Sequence, residues 1–115
     1  MPTVDEVFTE METRLKNDPS KVQGMNATYQ FDLTGEGGKE KWVKLADGGG
    51  EMGDGQAENP NITITMAAAD FLERVEGKLD GTMAFMSGKL KVKGDMGLAM
   101  KLQNVLRYTS HSTSP

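Results

Sequence analysis

The stretch from Met96 to about Arg107 reads as a helix with more apolar surface than one packing contact can use. Met96, Leu98, Ala99, Met100, Leu102, Val105 and Leu106 spread over an arc of about 220° on a helical wheel, where a helix with a single face on a core shows about 100°. Three arrangements use such a surface: burial on two sides by its own domain, an oligomer interface, or a cavity that a ligand fills. With 115 residues the chain makes one domain and has little left to wrap a terminal helix completely. Cavity or interface is therefore favoured.

The rest of the chain predicts an α+β domain over residues 1–108, followed by a polar tail over 109–115. Thr3 and Glu6 have capping-box spacing, and Val4, Val7, Phe8, Met11 and Leu15 share one face of an opening helix that ends at Asn17-Asp18-Pro19. From Met25 the period becomes two, with Ala27, Tyr29, Phe31 and Leu33 on one side of a strand. Gly35 to Gly38 is turn material, and Lys41 to Ala46 returns as a second strand, with either Val43 and Leu45 or Trp42 and Ala46 facing inward. Asp47 to Asn59, with five glycines, supports at most a weak edge strand. Ile62, Ile64 and Met66 alternate with threonines in a fourth strand. Two short helices follow, one from Ala67 to Glu76 stopped by Gly77, the next capped by Asp80 and ended by Gly88. Lys89 to Lys93 alternates again. The helices between these last two strands suggest a crossover connection and hence a mixed sheet. The element order is α-β-β-β-β-α-α-β-α.

Several function classes are poorly served. A formal net charge of −4 argues against nucleic-acid binding, which needs a basic face. Without cysteine there is no thiol chemistry, and a reducing compartment is the expectation. No apolar run reaches a membrane span of about 20 residues, and the acidic start MPTVDEVFTE is no export signal. The single histidine, His111, lies in the polar tail, so no base serves a nucleophilic serine, and catalysis is not expected. Asp47, Glu51, Asp54 and Glu58 lack the order of a calcium loop, so no metal is expected. Lys89, Lys91 and Lys93 read as the solubilising face of a strand, with transient docking to an anionic membrane as the functional alternative. Methionine is abundant, nine residues against four phenylalanines, and Met83, Met86, Met96 and Met100 lie on the two helical segments flanking the last strand. Such adaptable side chains suit a cavity for variable apolar ligands.

The runs Ile62-Thr63-Ile64-Thr65-Met66, Asp70-Phe71-Leu72 and Gly77-Lys78-Leu79, then Ala84-Phe85-Met86-Ser87-Gly88-Lys89-Leu90-Lys91-Val92-Lys93-Gly94-Asp95-Met96-Gly97-Leu98-Ala99-Met100-Lys101-Leu102-Gln103, resemble the sterol carrier protein 2 domain. The first half is similar in element order and in the Trp42 hairpin. The resemblance implies a five-stranded mixed sheet covered by helices around an apolar tunnel for sterols, fatty acids, acyl-CoA or phospholipids, working without catalysis or cofactor, alone or fused to enzymes. The chain departs from it in the Gly-rich 47–59 segment and in ending Thr113-Ser114-Pro115 instead of in a peroxisomal tripeptide. A cytoplasmic location is expected.

On this reading the lipid-lining residues are Phe31 of the first strand, Ile62, Ile64 and Met66 of the fourth, and Leu90 of the fifth. Phe71, Met83 and Met86 come from the middle helices, and Met96, Met100 and Leu106 from the last. Gln103 lies within the apolar arc as a rim amide or a headgroup contact. A monomer is favoured. The rival readings are a partner-binding or dimerisation module using the same groove and an accessory domain of a lipid-metabolising enzyme.

Overall fold

The computed structural model describes residues 3–46, 49–76, 78–79 and 81–106. Helix α1, Val4–Asn17, begins at the capping box: the Thr3 hydroxyl accepts from the Glu6 N–H at 3.1 Å, and the Thr3 N–H donates to the Glu6 carboxylate at 2.8 Å. Asp5 and Glu6 at its start and Arg14 and Lys16 at its end complement the helix dipole. Asp18 then accepts from the Ser20 N–H and hydroxyl, turning the chain into a short 3-10 segment, Pro19–Val22.

Five strands follow the predicted order: β1 Ala27–Thr34, β2 Glu40–Ala46, β3 Gly49–Asp54, β4 Ile62–Ala67 and β5 Leu90–Gly94. Across the sheet they lie β3-β2-β1-β4-β5. Helices α2, Ala68–Val75, and α3, Gly81–Met86, connect β4 to β5, and α4, Met96–Leu106, follows β5. Asp80, Gly77 and Arg107, expected at helix ends, lie outside the described residues.

The sheet is mixed, but its parallel neighbours are β1 and β4, while β4 and β5 run antiparallel. The crossover expected through the two helices is instead made by residues 55–61. β3 finishes at the end of the sheet where β1 finishes, so the chain must cross the outer face before β4 can start beside the beginning of β1. Gln30, fully buried, holds this crossing down: its amide N–H group donates to the Gly55 carbonyl at 3.0 Å, and its oxygen accepts from the Ala57 N–H at 2.8 Å. At the far end Asn61 accepts from the Thr28 N–H and donates to the Thr28 carbonyl, which fixes the β1/β4 register.

Helices α1, α2 and α4 pack on the other face, and α3 lies against β5. The core joins Val4, Val7, Phe8, Met11 and Leu15 of α1 to the odd-numbered residues of β1, to Val43 and Leu45 of β2 and to Ile62, Ile64 and Met66 of β4. Val43 and Leu45 are thus the inward pair of β2, since Val43 stands opposite Tyr29 and Leu45 opposite Ala27. The glycines of β3 are what α1 and Trp42 require: a Cβ on Gly50 would meet the Leu15 side chain at 2.5 Å, and one on Gly53 would overlap the Trp42 ring. The weak sequence signal of this strand thus reflects close covering at Gly50 and Gly53, where a larger side chain would make Leu15 or Trp42 shift.

Candidate functional site

The interior side of the predicted site is built by β1, β4 and α2. Phe31, Ile62, Ile64, Met66 and Phe71 are all buried in the main core. Phe31 meets the Phe8 ring edge-on at 5.5 Å and the Phe71 ring at 6.0 Å, and Phe71 stacks on Phe8 at 5.6 Å. Alternation places Phe31 and Ile64 side by side on adjacent parallel strands, and Phe71 sits where the first turn of α2 folds back over them.

The other predicted residues stand nearer the surface. Met83 and Met86 of α3 are 65% and 78% exposed, Met96 and Met100 of α4 are 52% and 84% exposed, and Phe85 is 47% exposed. Leu90 is half-buried on β5, opposite Met66 and packed against the core. The structure thus brings five of the predicted residues together in the core and leaves four methionines facing outward. The side chains of Gln103 and Leu106 lie outside what is described, as does His111.

The broad apolar arc of α4 is divided. Leu98 and Ala99 are half-buried and Leu102 is buried, whereas Met96 and Met100, one turn apart, stand in solvent. A connection that the sequence did not single out holds the inner side: the Tyr29 hydroxyl donates to the Leu98 carbonyl at 2.7 Å. Tyr29 has no exposed surface, and burial, with the nearby Asp95 charge, pushes its phenol up to about 12. Alternation had put Tyr29 inside; what it lacked was the partner 69 residues away.

A separate cleft of about 180 Å³ opens between α1, β2 and β3, lined by Phe8, Thr9, Glu12, Lys41, Met52, Gly53 and Asp54. Lys41 spans it, with its ammonium 2.6 Å from Asp5 and 2.5 Å from Asp54 and lying over the Phe8 ring. Burial pulls its proton affinity down, but the two carboxylate hydrogen bonds outweigh that and hold it above the ordinary lysine value. A lysine kept protonated in this way is neither a base nor a nucleophile, so the cluster clamps α1 to the sheet.

The fold as a whole is similar both to a carrier domain of nearly the same length and to a part of a larger enzyme. The sterol carrier protein domain 2 of Helicoverpa armigera superposes with a TM-score of 0.73 at 28% identity, over 95% of this chain and 91% of that one. The sec-alkylsulfatase Pisa1 of Pseudomonas sp. superposes with a TM-score of 0.77 at 23% identity, over 99% of this chain and 17% of the sulfatase. Hydroxysteroid dehydrogenase-like protein 2 of Rattus norvegicus is 39% identical over 106 residues, which is 91% of this chain and 20% of that protein. Residues 8–107 match the SCP-2 sterol transfer family, and the chain belongs to that family. It spans about a fifth of the length of this curated relative.

Proposed function

We propose that this chain holds the apolar part of a lipid, a sterol, fatty acid, acyl-CoA or phospholipid tail, between α4 and the inner face of the sheet, and does so without chemistry of its own. The observation that carries this reading is the divided apolar surface of α4 beside a cluster of exposed methionines. Among the described side chains of that surface, Leu98, Ala99 and Leu102 are spent on the domain, and the exposed ones, Met96 and Met100, are of a kind that adapts to a partner of variable shape. Phe31, Ile62, Ile64, Met66, Phe71 and Leu90 would form the wall, and Met83, Met86, Met96, Met100 and Leu106 the movable side, with Gln103 at the rim. Because the wall residues are packed against one another in the core, a ligand needs room, and displacement of α4 from β1 supplies it. Each methylene transferred from water contributes about 0.8 kcal/mol, so an acyl chain can offset the contacts that α4 gives up.

Native mass spectrometry of freshly purified protein tests the reading. A monomer carrying a co-purified lipid mass, displaced by added fatty acid or sterol, is the expected result. A ligand-free dimer that persists at low concentration assigns the same surface to a second copy instead. The second reading, service as the lipid-holding part of an enzyme, is favoured by one fact: a relative is a dehydrogenase-like protein in which the matching region is a fifth of the length. Stimulation of such an enzyme's turnover of a lipid substrate by this chain, lost together with lipid binding, would identify that role. Among the described residues no helix is long and apolar enough to cross a membrane.

A further inference from the structure

We infer that the Tyr29 hydroxyl is the interior polar contact for the ligand and selects a lipid with an uncharged oxygen, an alcohol or a ketone, at its buried end. The inference rests on the lipid-holding reading and adds to it the class of lipid and the way round it lies. Tyr29 stands in β1 between Val43 of β2 and Ile62 of β4, both buried, and its ring stacks on Phe31 at 6.4 Å. Among the described residues that are buried, only Tyr29 and Gln30 carry a side chain that donates hydrogen bonds, and Gln30 is committed to residues 55–57 on the other face of the sheet. The Tyr29 hydroxyl is therefore the one such group on the side of the sheet where α4 packs. A phenylalanine would supply the same ring, so the oxygen has a role that packing does not explain.

The hydroxyl donates to the Leu98 carbonyl at 2.7 Å, and the two partners do not need each other equally. A carbonyl inside an α-helix also accepts from the amide four residues on, here that of Leu102, and keeps that bond wherever the helix goes. The hydroxyl has no such reserve, since the side chains of Val43, Ile62 and Phe31 around it offer no acceptor. Room made by moving α4 off β1 thus leaves a buried donor without a partner, and a lipid that fills the room keeps water from it. A hydrocarbon end leaves the bond unmade, whereas an alcohol or ketone oxygen takes the place of the Leu98 carbonyl. Leu98 lies in the first turn of α4, next to the Asp95 N–H that bonds the Asn61 carbonyl and anchors the helix. The oxygen-bearing end of the lipid therefore goes to the anchored end of α4 and its tail toward the far end. Burial, and then the Asp95 charge, push the Tyr29 phenol up, and the same two effects act against a carboxylate set beside it. A fatty acid accordingly lies the other way round, with its carboxylate away from Tyr29.

Displacement of a fluorescent stearate from the delipidated full chain tests this with three probes of equal length: dodecane, dodecan-1-ol and dodecanoate. Each is measured on the wild type and on Tyr29→Phe, which keeps the ring and whose folding is verified by circular dichroism. Loosening α4 alone changes the affinity for all three probes by the same factor, so the readout is a ratio of affinities and not any one of them. From the wild type to Tyr29→Phe the dodecanol-to-dodecane ratio should fall about tenfold, the usual weight of a buried donor that gains or lacks its partner. The dodecanoate-to-dodecane ratio should stay where it was. A dodecanol-to-dodecane ratio that is equal in the two proteins, or a dodecanoate ratio that falls as far, would overturn the selection by Tyr29 and leave the lipid-holding reading in place, because the probes still bind. Failure of all three probes to displace the stearate from the wild type would remove that reading and this inference with it.

Discussion

Replacing Tyr29 with phenylalanine should reverse its effect on stability between neutral and alkaline pH. At neutral pH the change removes the hydroxyl that donates to the Leu98 carbonyl at 2.7 Å, the connection between β1 and α4, and should cost about 1 kcal/mol. In a domain of this size that lowers Tm by roughly 4 °C. The tyrosine carries a liability that grows with pH. Its phenol is pushed up to about 12 in the folded protein, whereas in the unfolded chain it ionises near 10. Below pH 10 both states hold the proton and nothing is lost. As pH rises from 10 through 12 the unfolded state sheds its proton first, so the native state loses stability, by about 1.4 kcal/mol at pH 11. That exceeds the hydrogen bond, so Tyr29→Phe should be the less stable protein at pH 7 and the more stable one by about pH 11. Urea unfolding of both proteins across this range measures the difference directly, and the other titrating groups cancel because both chains share them. Stability curves that stay parallel from pH 7 to 11 would refute the claim that Tyr29 is buried and protonated against Leu98. In the same proteins, amide exchange in α4 should be faster for the phenylalanine variant at neutral pH, since the helix loses its connection to β1.

Three further outcomes follow from the packing. Gly53→Ala puts a methyl into the Trp42 ring, and since Trp42 is the single tryptophan, its fluorescence maximum should shift while stability falls by about 1–3 kcal/mol. Gln30→Ala removes the amide that holds residues 55–57 across the sheet; chemical denaturation should register a loss of about 2–3 kcal/mol, with limited proteolysis appearing in that crossing. The Asp5 carboxylate is held below its ordinary value by hydrogen bonds from Lys41 and then Lys39. Its stabilisation is therefore present above about pH 4 and disappears as pH falls through the lower folded value. Asp5→Asn should accordingly flatten the acid limb of the stability curve, and flatten the alkaline limb as well, because Lys41 loses one of the two carboxylates that raise it.

The sheet was legible wherever one face meets a core. Ile62, Ile64 and Met66 alternate with threonines, the odd residues of β1 are apolar, and the first helix displays its single stripe, so each faced inward as the pattern required. The phase of β2 was ambiguous because Trp42 is as apolar as Val43. The pairing of Val43 with Tyr29 decided it, and pairing is not a property of either strand alone. The direction of β4 was hidden for the same reason. The signal that makes β1 and β4 parallel lies in Gln30 and Asn61, polar residues whose partners are distant in sequence. In the candidate site, the wheel of the last helix located the apolar excess but carries no information on how it is divided, since it fixes angles within the helix and not the helix's rotation against the sheet.

That division has a mechanical consequence. α4 enters directly after β5 through Gly94, whose positive φ of 117° and close approach to Asn61 leave room for no other side chain. Asp95 then donates its N–H to the Asn61 carbonyl and accepts from the Gly97 N–H. The beginning of α4 is thus fixed to the β4 end of the sheet. Further along, the helix is held by Leu98, Ala99, Leu102 and the Tyr29 hydrogen bond, with Met96 and Met100 contributing little burial. Among the described residues, a swing of α4 about Gly94 would give up the packing of Leu98, Ala99 and Leu102 and the Tyr29 hydrogen bond. The same swing would carry its methionines away from solvent or toward it, so an apolar ligand on that side shifts the equilibrium only to the extent that it binds one position better than the other.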